Sequence, residues 1–212
     1  MKLAELSDRS GVATATIKYY LRERLLPPGH RISATQAEYD EEHLRRLRLV
    51  RALIQVGRIP VATAREVLAA IGDETRDHHM RLGAAVWALP HGRQTDEGDA
   101  AGAAAGHTVD ALLQRLGWDF CRETGSEAPP YRTLVSAVAT IIRLGYPCDV
   151  EQLLPYARSA AELAVSDLDL VERYTAGEEQ VEAAVAFTVL YEPALLSLRR
   201  LAQAEESNRR FG

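Results

Sequence analysis

A mainly α fold is what this sequence predicts, and three observations carry the prediction. Almost no stretch alternates polar and apolar residues with period two over a useful length. Apolar residues recur instead at helical spacing through most of the chain. Glycine and proline fall between these segments, where helices stop and start.

The elements follow in order. Leu3 and Leu6 open a short helix that stops at Ser10-Gly11, where glycine permits a left-handed cap. A second helix runs from about Thr14 to Arg24 and ends before Pro27, Pro28 and Gly29. Residues 29–39 are polar with scattered β-branched residues, and read as a short hairpin or an irregular loop. Asp40 caps a third helix, with Glu41 and Glu42 in the first turn where the helix dipole favours them. That helix runs to Gly57, and Pro60 begins a fourth that ends at Gly72. Helix resumes over about 75–89 until Pro90. Residues 90–106 lack large apolar groups and read as a flexible linker. Further helices are expected at about 108–116, 131–144, 149–174 and 178–207, with Asp149 as an N-cap and Gly177 between the last two. Pro155 and Pro193 should kink those two. Three regions result: a domain over 1–72, a connecting helix and linker over 73–106, and a helical domain over 107–212.

Composition narrows the function. The two cysteines, Cys121 and Cys148, exclude a disulfide framework, a four-cysteine zinc site and an iron–sulfur cluster built from this chain alone. They read as buried structural thiols. The residues MKLAELSDRS carry charges where a signal peptide has its apolar core. The run Ala183–Leu198 is 16 residues long and contains Glu192, which is short against the roughly 20 apolar residues of a membrane span. A reduced, soluble, cytoplasmic protein is expected. No nucleophile–base pair, phosphate-binding glycine loop or paired metal ligands stand out, so no enzyme, cofactor or metal is expected. The adjacent His78 and His79 point about 100° apart on a helix and do not chelate one ion easily.

Charge is uneven. Residues 1–70 hold 12 basic against 8 acidic side chains, while the remainder holds 13 against 22. Only the first third can approach a polyanion without repulsion. With Ile17 facing inward on the second helix, Tyr20 and Leu21 fall beside it. Ala15, Tyr19 and Arg22 take the opposite side, flanked by Thr16 and Lys18. A face of small, hydroxyl and basic residues suits the major groove; a solvated amphipathic helix shows the same pattern.

The residues themselves carry a resemblance. Gly11-Val12, Thr16-Ile17-Lys18-Tyr19-Tyr20, Leu25-Leu26-Pro27, Tyr39-Asp40-Glu41-Glu42 and Leu44 through Leu53 stand in order at the separations of one pattern. Over roughly residues 2–71 the chain resembles the N-terminal domain of the MerR family of transcription regulators. The resemblance implies a winged helix-turn-helix that binds a pseudo-palindromic promoter as a homodimer. It also implies distortion of that promoter so that RNA polymerase contacts both elements, in response to a signal received elsewhere in the chain. The DNA contacts it implies are Thr14, Thr16, Lys18, Tyr19, Tyr20 and Arg22 on the second helix, Arg31 and Tyr39 in the wing, and Arg45 and Arg48 on the third helix. Arg46 and Arg51 are further candidates for the DNA backbone. Three positions depart from the pattern. Leu21 stands where an acidic residue is usual. Ala13 replaces a hydroxyl N-cap, which leaves Thr14 as the capping candidate. Gln36 and Ala37 replace a Tyr-Arg pair in the wing, which leaves Arg31 or His30 to meet phosphate.

The rest of the chain is expected to dimerise and to sense. Ten of the 13 aromatic residues lie beyond residue 70. Trp87, Trp118, Tyr146 and Tyr191 either fill cores or line a pocket for a small-molecule effector. Glu192, in an otherwise apolar run, meets a cationic ligand, pairs with an arginine, or sits in water beside Pro193. The helix after the DNA-binding domain stops at Pro90, so dimer contacts are expected to move to 178–207. Two alternatives to a ligand-responsive regulator remain: a DNA-bending architectural protein, and a regulator whose C-terminal part binds a protein.

Overall fold

Local sequence chemistry sets most of the helix ends. The computed structural model describes residues 1–33, 36–90 and 100–212. The chain forms two compact units, one of residues 1–89 with 171–212 and the other of residues 90–170.

In the first unit, α1 (Leu3–Ser10) ends on Gly11 at φ 65°, the left-handed cap that glycine adopts without strain. The next helix, α2, spans Thr14–Arg22. Ala13 occupies its cap position and makes no side-chain cap bond, so Thr14 is the first helical residue rather than the cap. Residues 29–39 form a short hairpin: β1 (His30–Arg31) pairs antiparallel with β2 (Ala37–Glu38), in the register His30 to Glu38 and Arg31 to Ala37. The hairpin is tied at its base, where the Met1 ammonium donates to the Tyr39 carbonyl at 2.6 Å and the Tyr39 N–H donates to the Met1 carbonyl at 2.8 Å.

Asp40 caps α3 (Glu41–Arg51) as expected. It does so reciprocally: the His43 N–H donates to Asp40 Oδ1 at 3.1 Å, and the Asp40 N–H donates to His43 Nδ1 at 3.3 Å. The helix continues to Gly57, but its last turn, Ala52–Val56, is π-helical. Then come α4 (Val61–Ile71) and α5 (His78–Trp87), the latter capped by Asp77. Leu6, Ile17, Leu25, Leu26, Leu44, Leu47 and Leu53 are completely or almost completely buried in one core, each stabilising the fold by about 1.5–3 kcal/mol.

That core has a contributor from far along the chain. The last helix, α10 (Gly177–Phe211), inserts Val181, Val185 and Val189 into it. Residues 171–212 therefore belong with the N-terminal part, and 107–212 is not one domain. The reason is burial: the first half of α10 is apolar on the face that meets α5, α3 and the π turn. Contact is close at Gly57, where a Cβ would stand 2.6 Å from Val189 Cγ1 and 3.0 Å from the Leu53 carbonyl. Gly57→Ala is expected to lower stability by about 1–3 kcal/mol through overpacking. A urea midpoint that does not fall would mean that α10 yields at Val189. By length and composition α10 could also cross a membrane, but 33% of its most apolar window is buried inside the protein.

The second unit contains α6 (Ala100–Leu116), α7 (Asp119–Thr124), a 3-10 turn, α8 (Pro129–Arg143) and α9 (Val150–Val171, whose last residue falls in the first unit). Asp149 caps α9 by accepting the N–H groups of Glu151 and Gln152. The linker expected at 90–106 is corrected in part. Residues 100–106 open α6, because Gly102 and Ala105 continue the buried stripe of Val109, Leu112 and Leu113. Residues 91–99 lie outside the described residues. Helix α6 packs on α8 around Val109, Val135 and Val138. The helices run without a break through Pro155 and Pro193. Cys121 is exposed and Cys148 half-buried, so Cys121 is not the buried thiol expected.

Candidate nucleic-acid interface

Helix α2 divides its residues by face. Ile17 and Tyr20 are buried, which turns Thr14, Ala15, Lys18, Tyr19 and Arg22 to solvent, with Thr16 half-buried. The Arg22 guanidinium lies over the Tyr19 ring, 5.3 Å from its centroid, and its Nε is 3.6 Å from Glu23 Oε1. Stacking holds the cation against the helix while leaving it accessible. This is a row of donors and one ring on a rigid rod, the arrangement that reaches base edges and phosphates.

Tyr20 does not belong to that row. Its ring fills the core, and burial pushes its phenol up from the usual tyrosine range. The contact expected of it is corrected to a packing role. Tyr39 is likewise buried, edge-on to the His43 ring at 5.2 Å and 86°, and braces the hairpin rather than facing outward. The Asp40 carboxyl below it is held well under the usual carboxylate range, chiefly by the side-chain hydrogen bond with His43, at 2.7 Å. His30 Nε2 lies 3.4 Å from the other Asp40 oxygen. Arg31 is exposed on β1, where its Nε donates to the Ser33 carbonyl at 3.2 Å.

The arginines of α3 separate into two groups. Arg48 is exposed. Arg45 is engaged: its Nη1 is 3.2 Å from Glu179 and its Nε 3.9 Å from Glu182, both on α10. Two carboxylates of α10 thus face the guanidinium, 39% of whose side chain is exposed. Arg46 is mostly buried, donating to the Leu68 carbonyl at 3.0 Å with Nη1 3.7 Å from Glu182. Burial lowers the Arg46 pKa and raises that of Glu182, each opposed by the partner's charge. Arg51 donates to the Ser10 carbonyl at 2.6 Å and ties α3 to the end of α1.

A groove of about 610 Å³ runs between the start of α1, α2 and the hairpin. Lys2 and Lys18 line it, with Ile32, Gln36 and Glu38. These are the only two lysines among 25 basic residues. Sequence reasoning passed over Lys2, although the placing of both lysines before residue 20 was a usable signal.

The residues expected to line an effector pocket are divided between the two units. Trp87, Tyr191 and Glu192 lie in the first unit, and Trp118 and Tyr146 in the second. Trp118 packs against the core of its unit, whereas Tyr146, Tyr191 and Glu192 are exposed. Among the described residues, no group of three or more His, Cys, Asp or Glu side chains could hold a metal ion.

Comparison with known proteins agrees with this geometry. Residues 1–71 match the MerR HTH family regulatory protein model. Over 50 residues the chain is 40% identical to the HTH-type transcriptional regulator ZntR homolog of Haemophilus influenzae, a match covering 24% of this chain and 37% of that protein. A crystal structure of a protein described as a transcriptional regulator, from Streptomyces coelicolor A3(2), superposes with a TM-score of 0.87 at 56% identity, covering 100% of this chain and 98% of the other. The chain is thus a transcription regulator whose residues 1–71 form a helix-turn-helix domain of the MerR family.

Proposed function

We propose that this regulator grips a pseudo-palindromic promoter as a homodimer and distorts it, so that RNA polymerase engages both promoter elements. The solvent face of α2 supports this reading more than any other feature: Thr14, Thr16, Lys18, Tyr19 and Arg22 project from a helix locked by Ile17 and Tyr20. Arg31 on the hairpin and Arg48 on α3 extend the basic surface towards the flanking phosphates. Phosphate contacts would supply affinity and make it fall with salt. Deformation of the DNA would couple the state of the protein to transcription. The helical remainder would receive the signal, in a soluble, cytoplasmic protein with no catalytic role.

The experiment is a salt-titrated binding assay against the DNA upstream of its own gene and a scrambled control. Binding well above the control is the expected result. Tyr19→Ala and Arg22→Ala should each weaken it by about 1–3 kcal/mol. Unchanged affinity in both variants would overturn the assignment of the outward face. Equal, weak and salt-sensitive binding to both DNAs would favour an architectural DNA-bending protein.

A further inference from the structure

Acidic and basic side chains from distant parts of the chain meet where α10 begins. Residues 172–176 lead from α9 into α10, and Glu178, Glu179 and Glu182 follow within two turns. Helix α3 meets them with Arg45 and Arg46, and the two guanidiniums are used differently. Arg46 is turned inward, between the Leu68 carbonyl and Glu182. Arg45 stays at the surface, with 39% of its side chain exposed against 26% for its partner Glu179. It stands one turn before the exposed Arg48, on the same side of α3. The basic surface that Arg48 extends towards the flanking phosphates therefore continues to Arg45, and there it meets a carboxylate.

We propose that Glu179 is a built-in counter-ion that withholds Arg45 from DNA phosphate, so that the start of α10 sets how tightly the reader binds. Glu179 and a phosphate compete for the same guanidinium, since either can take its planar donors. Glu179 has the advantage of place: its Oε1 already lies 3.2 Å from Arg45 Nη1. The surroundings add to it. The charges of Glu178 and Glu42 bear on Glu182 beside the pair, so carboxylates outnumber guanidiniums here and repel an approaching phosphate. Yet a pair this exposed is weak, so it tunes binding without abolishing it. Turning or shifting the first turn of α10 releases Arg45, while the more deeply buried Arg46 and Glu182 keep α10 on α3. The helix dipole accounts for acidic residues at 178 and 179 alike. It does not decide which of them pairs with Arg45, and Glu179 does. The inference rests on the DNA-binding reading above, and names a point at which the helical remainder acts on the reader.

The test is a double-mutant cycle in the full chain, read as affinity for the DNA upstream of its own gene across a salt series. Glu179→Gln should tighten binding about two- to fivefold. It should also steepen the fall of log affinity with log salt by about one, the mark of one added phosphate contact. Arg45→Ala alone should change affinity by less than about twofold, because the wild-type guanidinium is engaged by Glu179. In that background Glu179→Gln should alter neither affinity nor slope. Glu178→Gln removes the same charge one residue away and should leave the slope unchanged. Urea midpoints of all variants should stay near the wild type, as an exposed pair contributes little to stability. No effect of Glu179→Gln, an equal effect without Arg45, or an equal effect of Glu178→Gln would overturn the proposal and leave the DNA-binding reading standing. So would a loss in Arg45→Ala as large as in Arg22→Ala, since Arg45 would then already meet phosphate. Unfolding of Glu179→Gln would make the pair a structural tie instead. A wild type that binds neither the upstream DNA nor a scrambled control would overturn both readings.

Discussion

Replacing Arg46 with alanine should cost about 3 kcal/mol of folding stability near neutral pH, and the cost should shrink as the solution is acidified. Arg46 joins three elements: it rides on α3, donates to the Leu68 carbonyl of α4 at 3.0 Å, and sits 3.7 Å from Glu182 of α10. Only 17% of its side chain and 11% of that of Glu182 reach solvent. Removing one partner of a buried pair leaves an uncompensated charge, at about 3–5 kcal/mol. The lower figure applies here because Arg45 remains 3.9 Å from the same carboxylate. The pH dependence follows from the direction of the Glu182 shift. Burial raises its folded pKa, so its stabilising contribution is complete below its unfolded pKa and declines as pH rises through the folded one. Without Arg46 that folded value rises further. The difference between wild type and variant is therefore largest at neutral pH and closes once Glu182 is protonated. Urea titrations of both proteins at pH 7.5 and 4.5 measure it. A difference that stays constant would assign the loss to the Leu68 hydrogen bond and to packing.

Ile17→Ala should be at least as damaging, at about 2–5 kcal/mol, with Ile17→Val costing about 0.5–1.5 kcal/mol. Ile17 is completely buried and anchors α2 into the core formed with Leu6, Leu44 and Leu47. It also determines which residues of α2 face out. The loss should appear in the urea midpoint first and in DNA affinity only as the folded fraction falls. That separates it from Arg22→Ala, which should weaken DNA binding at unchanged stability. A loss below about 1 kcal/mol in Ile17→Ala would mean that Ile17 does not anchor α2 in the core.

How far the sequence spoke depended on distance along the chain. Gly11, Asp40, Asp77 and Asp149 act on backbone groups within a few residues, and three of the four caps were legible beforehand. Tyr20 shows two signals in conflict. Its spacing from Ile17 put it inside, while its place in the family pattern counted it among the DNA contacts, and the spacing was the better guide. The start of α6 was hidden for a compositional reason. Gly102 and Ala105 are buried, but residues that small carry no apolar pattern, so a helix face looked like a linker. Long-range partners were hidden altogether. Nothing near Arg45 or Arg46 announces Glu179 and Glu182, which lie more than a hundred residues later. The arginines therefore read as free to meet DNA.

The division of the first unit into two separated segments also sets a timetable. Ribosomes release chain in order, at about 5–20 residues per second, and domains generally begin to fold as they emerge. Here residues 1–89 appear early, yet the valines that complete their core arrive only with residues 181–189. Roughly ninety residues of synthesis separate the two, an interval of about 5–20 s at those rates. Throughout it, the apolar surface of α5 and the π turn that α10 covers is bare. Newly made chains should therefore be most exposed to chaperones and proteases in that interval, and the docking of α10 is the event that ends it.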